Sequence, residues 1–376
     1  MRKFIFSLLI ILFFWLLWIR IGRLEEAPAH ELALDLVEEL SSDGICEKNV
    51  LAIQPYMVSH DYLTEKGFYQ KMKGYFDAAE SAGYMNENTV VLLPEYLGTW
   101  LVIRGEKESV AKASTLESAM FIMIMSRPLK FFSHLFNSGN ESDPFAAAIF
   151  RMKAESMAQT YAQVFQKLAQ EYRVHINAGS IILPAARVEN NKILLSIEEP
   201  LYNSSFVFKP NGEIDTQIVK KSFPINAELP FVTAHPIEEL PVFDLPIGKT
   251  ALLVCADSWY PESYEHIRHL GADVILVNSY CTGNDAMQNY WSGYDGYYWP
   301  DDIDEEDIYE ITEQEAWIKY ALPGRIQSSH AKHGVNVFLR GELWNLGTDG
   351  QPFFLRNGKL MASNGSARAG IWNFCF

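Results

Sequence analysis

The 376 residues are 48% hydrophobic and 21% charged, an ordinary globular balance with enough length for a sizeable core. A formal net charge of −16 argues against nucleic acid as a partner, because phosphate binding needs clustered Lys and Arg. The four cysteines, Cys46, Cys255, Cys281 and Cys375, are widely separated and include no C-x-x-C pair. That pattern indicates neither a disulfide framework nor a zinc site.

After Arg2 and Lys3, FIFSLLIILFFWLLWI (4–19) runs apolar for sixteen residues broken only by Ser7, and Arg20 and Arg23 follow. The length lies between a secretory h-region and a short membrane span. Residues 1–24 read as a signal anchor. Cleavage after Ala27-Pro28-Ala29 is the alternative, disfavoured by the central proline and the two glutamates just before it. With two basic residues on each flank, the terminal amine tips the N-terminus inward. The bulk of the protein is then expected on the outer, periplasmic or extracellular side. Residues 25–48 read as an amphipathic connector, in which HELALDLVEELSSDG forms a helix ending at Gly44.

From residue 49 onward strand and helix signals alternate. NVLAIQPYM (49–57) and TVVLLPE (89–95) read as strands around a helix at 67–83. A long helix at 153–172 leads into the strand VHINAGSIIL (174–183). In FVFKPNGEIDTQIVK (206–220), Pro-Asn-Gly separates two alternating runs, a β-hairpin signature. TALLVC (250–255) is a buried strand, PESYEHIRHLG a short helix, and ADVILVNS (272–279) a strand again. NVFLRG (336–341) and PFFLRNGKLMAS (352–363) read as strands, the second with Asn-Gly at a turn. Apolar strands separated by helices indicate one α/β domain over 49–376. An apolar insert at about 105–150 interrupts it. There LESAMFIMIMSRPLKFFSHLF (116–136) is broken by Pro128 and reads either as a core or dimer-interface helix or as a segment in the membrane headgroup region.

Three side chains stand where chemistry is placed in such folds. Cys255 closes TALLVC, and most free cysteines in that position are inert and buried. It also lies at the C-terminal end of a strand, where α/β folds bind ligands. Pro261 and Glu262 mark the first turn of the next helix, with Asp257 and Ser258 as capping candidates. Unpaired N–H groups there favour a thiolate. This stretch alone leaves Cys255 undecided between filler and nucleophile. Glu95 ends a second buried strand, where a carboxylate is costly unless paired. Lys220 ends the hairpin strand, with Lys221 beside it.

An LPE at one strand end, an NG-initiated strand ending in Lys, and C-x-D-x-x-x-P-E over a strand, turn and helix occur here in that order. The set resembles the nitrilase or carbon–nitrogen hydrolase superfamily from about Asn49 to the C-terminus. AGSIIL (178–183), LYNSSFVFKPNGEI (201–214) and GADVILVNS (271–279) look like its connecting strands. The resemblance implies an α-β-β-α sandwich, a dimer, and a Glu-Lys-Cys triad of Glu95, Lys220 and Cys255. In the family the lysine commonly falls eight residues after the glycine that opens its strand, which selects Lys220 after Gly212. A second glutamate often follows by eight in amidases and in the lipoprotein N-acyltransferase branch, and Glu228 does so. Against this count, Ile218 replaces the usual aromatic two residues before the lysine, so Lys221 stays in contention.

The implied chemistry is thiol-dependent hydrolysis of a non-peptide C–N bond in a small or amphiphilic amide. Glu95 acts as general base on Cys255. The lysine ammonium and the backbone N–H of Ala256 hold the oxyanion, and Glu228 orients the lysine. Neither metal nor organic cofactor is required. Two alternatives are acyl transfer from Cys255 to an amine and a non-catalytic binding protein of the same fold. Cys281 reads as structural, QNYWSGYDGYYWP (288–300) as a candidate pocket rim, and Arg325 as part of a structural helix. His266 and His269 read as solvent-facing, and the seven carboxylates of DDIDEEDIYE (301–310) as a solvated run. The Asn-X-Ser triplets at Asn140, Asn203 and Asn364 carry no diagnostic weight.

Overall fold

The computed structural model describes residues 2–25, 31–40, 46–137, 139 and 141–376. Ala27-Pro28-Ala29, Gly44 and Asn140 lie outside the described residues. The main strands are β1 (Leu34–Leu40), β2 (Asn49–Gln54), β3 (Thr89–Leu92), β4 (His175–Pro184), β5 (Leu201–Phe208) and β6 (Val219–Lys220). They continue as β7 (Val242–Leu245), β8 (Gly248–Val254), β9 (Val274–Ser279), β10 (His333–Phe338), β11 (Phe353–Arg356), β12 (Lys359–Leu360) and β13 (Ala369–Cys375). The principal helices are α1 (Arg2–Arg20), α2 (Glu65–Ser81), α3 (Leu116–Ser126), α4 (Pro128–Phe136), α5 (Pro144–Tyr172), α6 (Pro261–Leu270), α7 (Glu313–Tyr320) and α8 (Leu322–Ser329).

One sheet has the order β1-β13-β2-β3-β4-β5-β6, the other β7-β8-β9-β10-β11-β12. The period-2 alternation of strands sends each strand's side chains to two different layers. Along β2, Leu51 and Ile53 pack with Phe68, Phe76 and Phe165 of α2 and α5. Val50 and Ala52 turn the other way, into the cluster that holds Ala251, Leu253, Val274 and Leu276 of the second sheet. Tyr264 and Ile267 of α6 and Leu322 and Ile326 of α8 belong to that cluster too. Helix, sheet, sheet and helix therefore stack as four layers, the α-β-β-α sandwich.

Between the two sheets runs a chain of buried amides. The Asn278 side chain donates to the Leu93 carbonyl and to Asn177 Oδ1, and Ser205 Oγ donates to Asn278 Oδ1 at 3.3 Å. Satisfied in this way, the polar groups fix how β9 faces β3, β4 and β5.

Three local expectations are corrected. HELALDLVEELSSDG does not form a helix over its described residues: 34–40 is β1, paired in parallel with β13. Its apolar spacing suits a helix, but a short helix is marginal by itself, whereas β13 offers a full ladder of backbone partners. The Pro-Asn-Gly turn forms, yet after one bridge from Phe208 to Ile214 only Val219–Lys220 pairs with β5. The long helix begins at Pro144, with Asp143 Oδ1 accepting from the Phe145 and Ala146 amides, rather than at residue 153. Pro128 breaks the apolar insert as expected, opening α4 directly after α3.

The cysteine spacing also misled. Cys46 and Cys375 form a disulfide across 329 residues, tying the end of β13 to the segment that enters β2. Replacing Cys46 by Ser is expected to lower unfolding free energy by about 2–4 kcal/mol. Urea denaturation without reductant reads this, and an unchanged midpoint would argue that the bond does not form.

Candidate active site

Glu95 is delivered by β3, whose four residues are all buried. The chain turns sharply beyond it, with Tyr96 at φ 61° and its amide donating to Ser180 Oγ at 2.9 Å. Gly179 lets this turn lie against β4: a Cβ there would meet the Pro94 carbonyl oxygen at 2.1 Å. Glu95 itself is 1% exposed.

The two lysines part company at the edge strand. Successive side chains of a strand point to opposite faces. Lys220 is half-buried, with its ammonium 4.5 Å from the centre of the Tyr202 ring. Lys221 points inward, 1% exposed, and its Nζ donates to Glu95 Oε1 at 2.9 Å and to Glu228 Oε2 at 2.6 Å. The geometry thus brings Lys221 to the carboxylates and leaves Lys220 outside. The count from Gly212 selects Lys220, but the returning strand is not continuous, so sequence spacing does not report which face a lysine takes.

Asn203 of β5 completes the arrangement. Its Nδ2 donates to Glu95 Oε1 and to Glu228 Oε1, each at 2.9 Å. Glu228 also accepts from the Tyr96 hydroxyl at 2.6 Å and from the Ile225 amide at 3.0 Å. The Asn-X-Ser triplet at Asn203 does not point to this role. The usable signal is a run of three buried polar residues, Asn203, Ser204 and Ser205, within β5, since buried polar groups need partners.

Cys255 follows β8 and starts a 3-10 turn, Cys255–Trp259, with φ 49°. A left-handed conformation is costly for a residue with a Cβ and persists where surroundings impose it. Asp257 supplies much of that constraint. Its Oδ1 accepts from the Ser222 and Phe223 amides at 2.9 and 2.8 Å, and its Oδ2 from the Val254 amide at 3.2 Å. One carboxylate therefore joins the segment after Lys221 to the turn that carries Cys255. Asp257 and Ser258 do not cap α6, which starts at Pro261 with no side-chain cap. Ala256, at the start of the same 3-10 turn, is 9% exposed. Its amide occupies a position that has no partner within the turn.

Electrostatics follow from burial. Desolvation works against the Lys221 charge, but Glu228 and Glu95 outweigh it and hold the ammonium well above the usual lysine range. Burial raises Glu95 to about 7, with Lys221 pulling down and the Glu228 charge pushing up. Burial opposes ionisation of Glu228 as well, yet Lys221 and the hydrogen bonds of Lys221 and Tyr96 bring it below its ordinary value. Burial and the Glu95 charge push the Cys255 thiol well up, so the helix N-terminus does not set its ionisation. The thiol donates to the Tyr280 carbonyl at 3.6 Å and stands close enough to Glu95 for each to shift the other's ionisation. A neutral thiol beside a buried carboxylate can pass its proton directly during attack.

Cys255 opens into a cavity of about 470 Å³, walled by Trp259, Tyr280, Cys281, Trp291, Asp295 and Glu313. The 288–300 tract does form part of this wall, and Cys281 is a free thiol on it. Arg325 is held by Asp302 through two hydrogen bonds, 2.6 and 3.0 Å, away from the cavity lining. No cluster suited to a metal ion occurs among the described residues.

Residues 53–294 match the family model for carbon–nitrogen hydrolases. Among solved structures, a mutant of the Nesterenkonia AN1 amidase from the nitrilase superfamily aligns with TM-score 0.51 and 13% identity, over 87% of this chain and 92% of its own. The amidase from Nesterenkonia sp. aligns at 0.50 and 14%, covering 88% and 92%. A carbon–nitrogen hydrolase from Helicobacter pylori G27 gives 0.50 and 16%, covering 87% and 89%. No curated protein matches this chain.

Proposed function

Since the chain belongs to the carbon–nitrogen hydrolase family, we propose that it hydrolyses an amide through a thioester on Cys255, with Glu95 as general base and Lys221 as the oxyanion-binding cation. The observation that carries this reading is the buried Lys221 ammonium shared by Glu95 and Glu228 beside the Cys255 thiol. As sulfur attacks the amide carbon, the thiol proton passes to Glu95. The oxygen gains negative charge, which the Lys221 ammonium and the Ala256 N–H stabilise in a site that excludes bulk water. Collapse of the tetrahedral intermediate breaks the C–N bond, and Glu95 gives its proton to the departing nitrogen. Water then attacks the thioester, losing a proton to Glu95. Release of the acid returns that proton to sulfur. Glu228 and Asn203 keep Lys221 and Glu95 in position.

The test is a panel of amides assayed for ammonia or amine release, with intact mass spectrometry of the protein. Acylation confined to the Cys255 peptide supports the reading. Acyl transfer to an added amine without hydrolysis would replace it with the transferase alternative. Beyond the Lys221 cluster, Asp295 and Glu313 line the cavity with no Lys or Arg on its wall, which disfavours substrates with an anionic acyl portion.

The rate should carry an acidic limb. Glu95 takes the thiol proton only as a carboxylate, so kcat/KM is expected to rise with pH through about 7 and level off above it. Glu228→Gln removes a neighbouring negative charge that raises Glu95, and should move the limb to lower pH. A profile flat from pH 5 to 8 would remove Glu95 from the role of base.

We also place the domain on a membrane. Helix α1 is the one helix among the described residues long and apolar enough to span a bilayer. The disulfide between Cys46 and Cys375 suits an oxidising compartment, which favours the outer side.

A further inference from the structure

Helices α3 and α4 each bury one side and leave the other bare. Ala119, Met123 and Phe131 enter the core. On the opposite side Phe121 is 63% exposed, Leu129 85% and Phe136 82%, with Met125 and Phe132 also exposed and Phe145 of α5 packed against Phe131 beside them. Large apolar side chains exposed in this number, with only Lys130 and Ser133 as exposed polar residues among those of α4, mark an interaction site.

This face adjoins α1. Trp15 Nε1 donates to the Met125 carbonyl at 3.0 Å, and Trp15, Trp18, Phe121, Ile122 and Met125 line one apolar crevice. The exit of α1 is pinned to the body beside it. Lys107 Nζ donates to the Trp18 carbonyl at 2.6 Å and stands 3.4 Å from the centre of the Trp18 ring, while the Glu108 amide donates to the Gly22 carbonyl at 2.7 Å. Trp15 precedes Arg20 by five residues, or about 7–8 Å along the axis at 1.5 Å per residue. If Arg20 and Arg23 sit at headgroup level, the Met125 contact lies about 5–10 Å deep, where interfacial helices rest. Trp15 and Trp18 then occupy the level at which aromatic residues concentrate.

We propose that the α3–α4 face enters the outer leaflet of the same bilayer that α1 spans, so the domain lies on the membrane in one orientation instead of swinging from a tether. The inference rests on the reading of α1 as an anchor. The occupant is lipid acyl chain, because the face is continuous with a helix whose own apolar side chains are exposed along its length. Two packed routes join this face to the site. The Asp143 amide donates to the Pro230 carbonyl at 2.9 Å, and Phe150 stacks on Phe231, just beyond Glu228. On the other side, Tyr96, Trp100 and Trp344 form a run of ring contacts, and the Leu116 amide donates to Asn345 Oδ1.

The experiment uses the full chain in phosphatidylcholine–phosphatidylglycerol vesicles, in a Cys255→Ala, Cys281→Ser background that removes both free thiols. Spin labels are placed singly on Leu129→Cys, Phe136→Cys, Ile11→Cys and Lys192→Cys, and collision with oxygen is compared with collision with a water-soluble nickel chelate. The expected result is a shift toward oxygen at 129 and 136, of the same sign as at 11 and opposite to 192. Labels at 129 and 136 in water with the label at 11 in lipid would overturn the inference and leave the anchor standing. Water at all three would remove the anchor reading, and the inference with it. All four positions are exposed, so the variants should fold, and circular dichroism checks that they do.

Discussion

A Lys221→Met variant is expected to lose about 10²–10³-fold or more in kcat/KM, the usual cost of deleting an oxyanion donor in a preorganised site. Lys220→Met should stay within a few-fold of the parent. The contrast follows from adjacent side chains on opposite faces: one ammonium lies between two buried carboxylates, the other over the Tyr202 ring. Lys221→Met should also destabilise the fold. It strands Glu95 and Glu228 without their cation, and breaking a buried ion pair from one side typically costs about 3–5 kcal/mol. Part of that loss is relieved when a carboxyl protonates, so the deficit should be smaller at acidic pH than at pH 8. Amidase assays and urea melts of both variants decide the matter. An inactive Lys220→Met beside an active Lys221→Met would reverse the assignment.

The second large effect belongs to Cys255. Cys255→Ala should abolish turnover, by at least about 10⁴-fold, because no other group can carry the acyl intermediate. Stability should barely change. The substitution removes one buried sulfur, and the constraints on the turn come from Asp257 and Ser258, which remain. The mass adduct formed with a reactive amide should vanish in the same variant. If the adduct persists and maps to Cys281, the other free thiol on the cavity wall, the nucleophile has been misassigned.

Much of this protein is legible in one dimension. The buried runs TVVL and TALLV became strands because continuous apolar, β-branched segments need cover on both faces. Glu95 and Cys255 stand out because each follows such a run, where the backbone leaves the sheet. Pro261 marked a helix start and Pro128 a helix break, for reasons internal to the residue. The failures are equally physical. β1 lacks a partner until β13 arrives from the far end of the chain. Cys46 and Cys375 meet only because β13 lies between β1 and β2.

The sequence by itself determined the strand ends, and with them where Glu95 and Cys255 stand, since both depend on local runs. The tertiary structure decided which lysine joins them. Lys220 and Lys221 differ by one step of a strand, and that step reverses the face. Which face is inward depends on β6 pairing with Ser204 and Ser205 of β5. That pairing sets Lys221 beside Asn203 and the two glutamates, contacts made by residues remote in the chain.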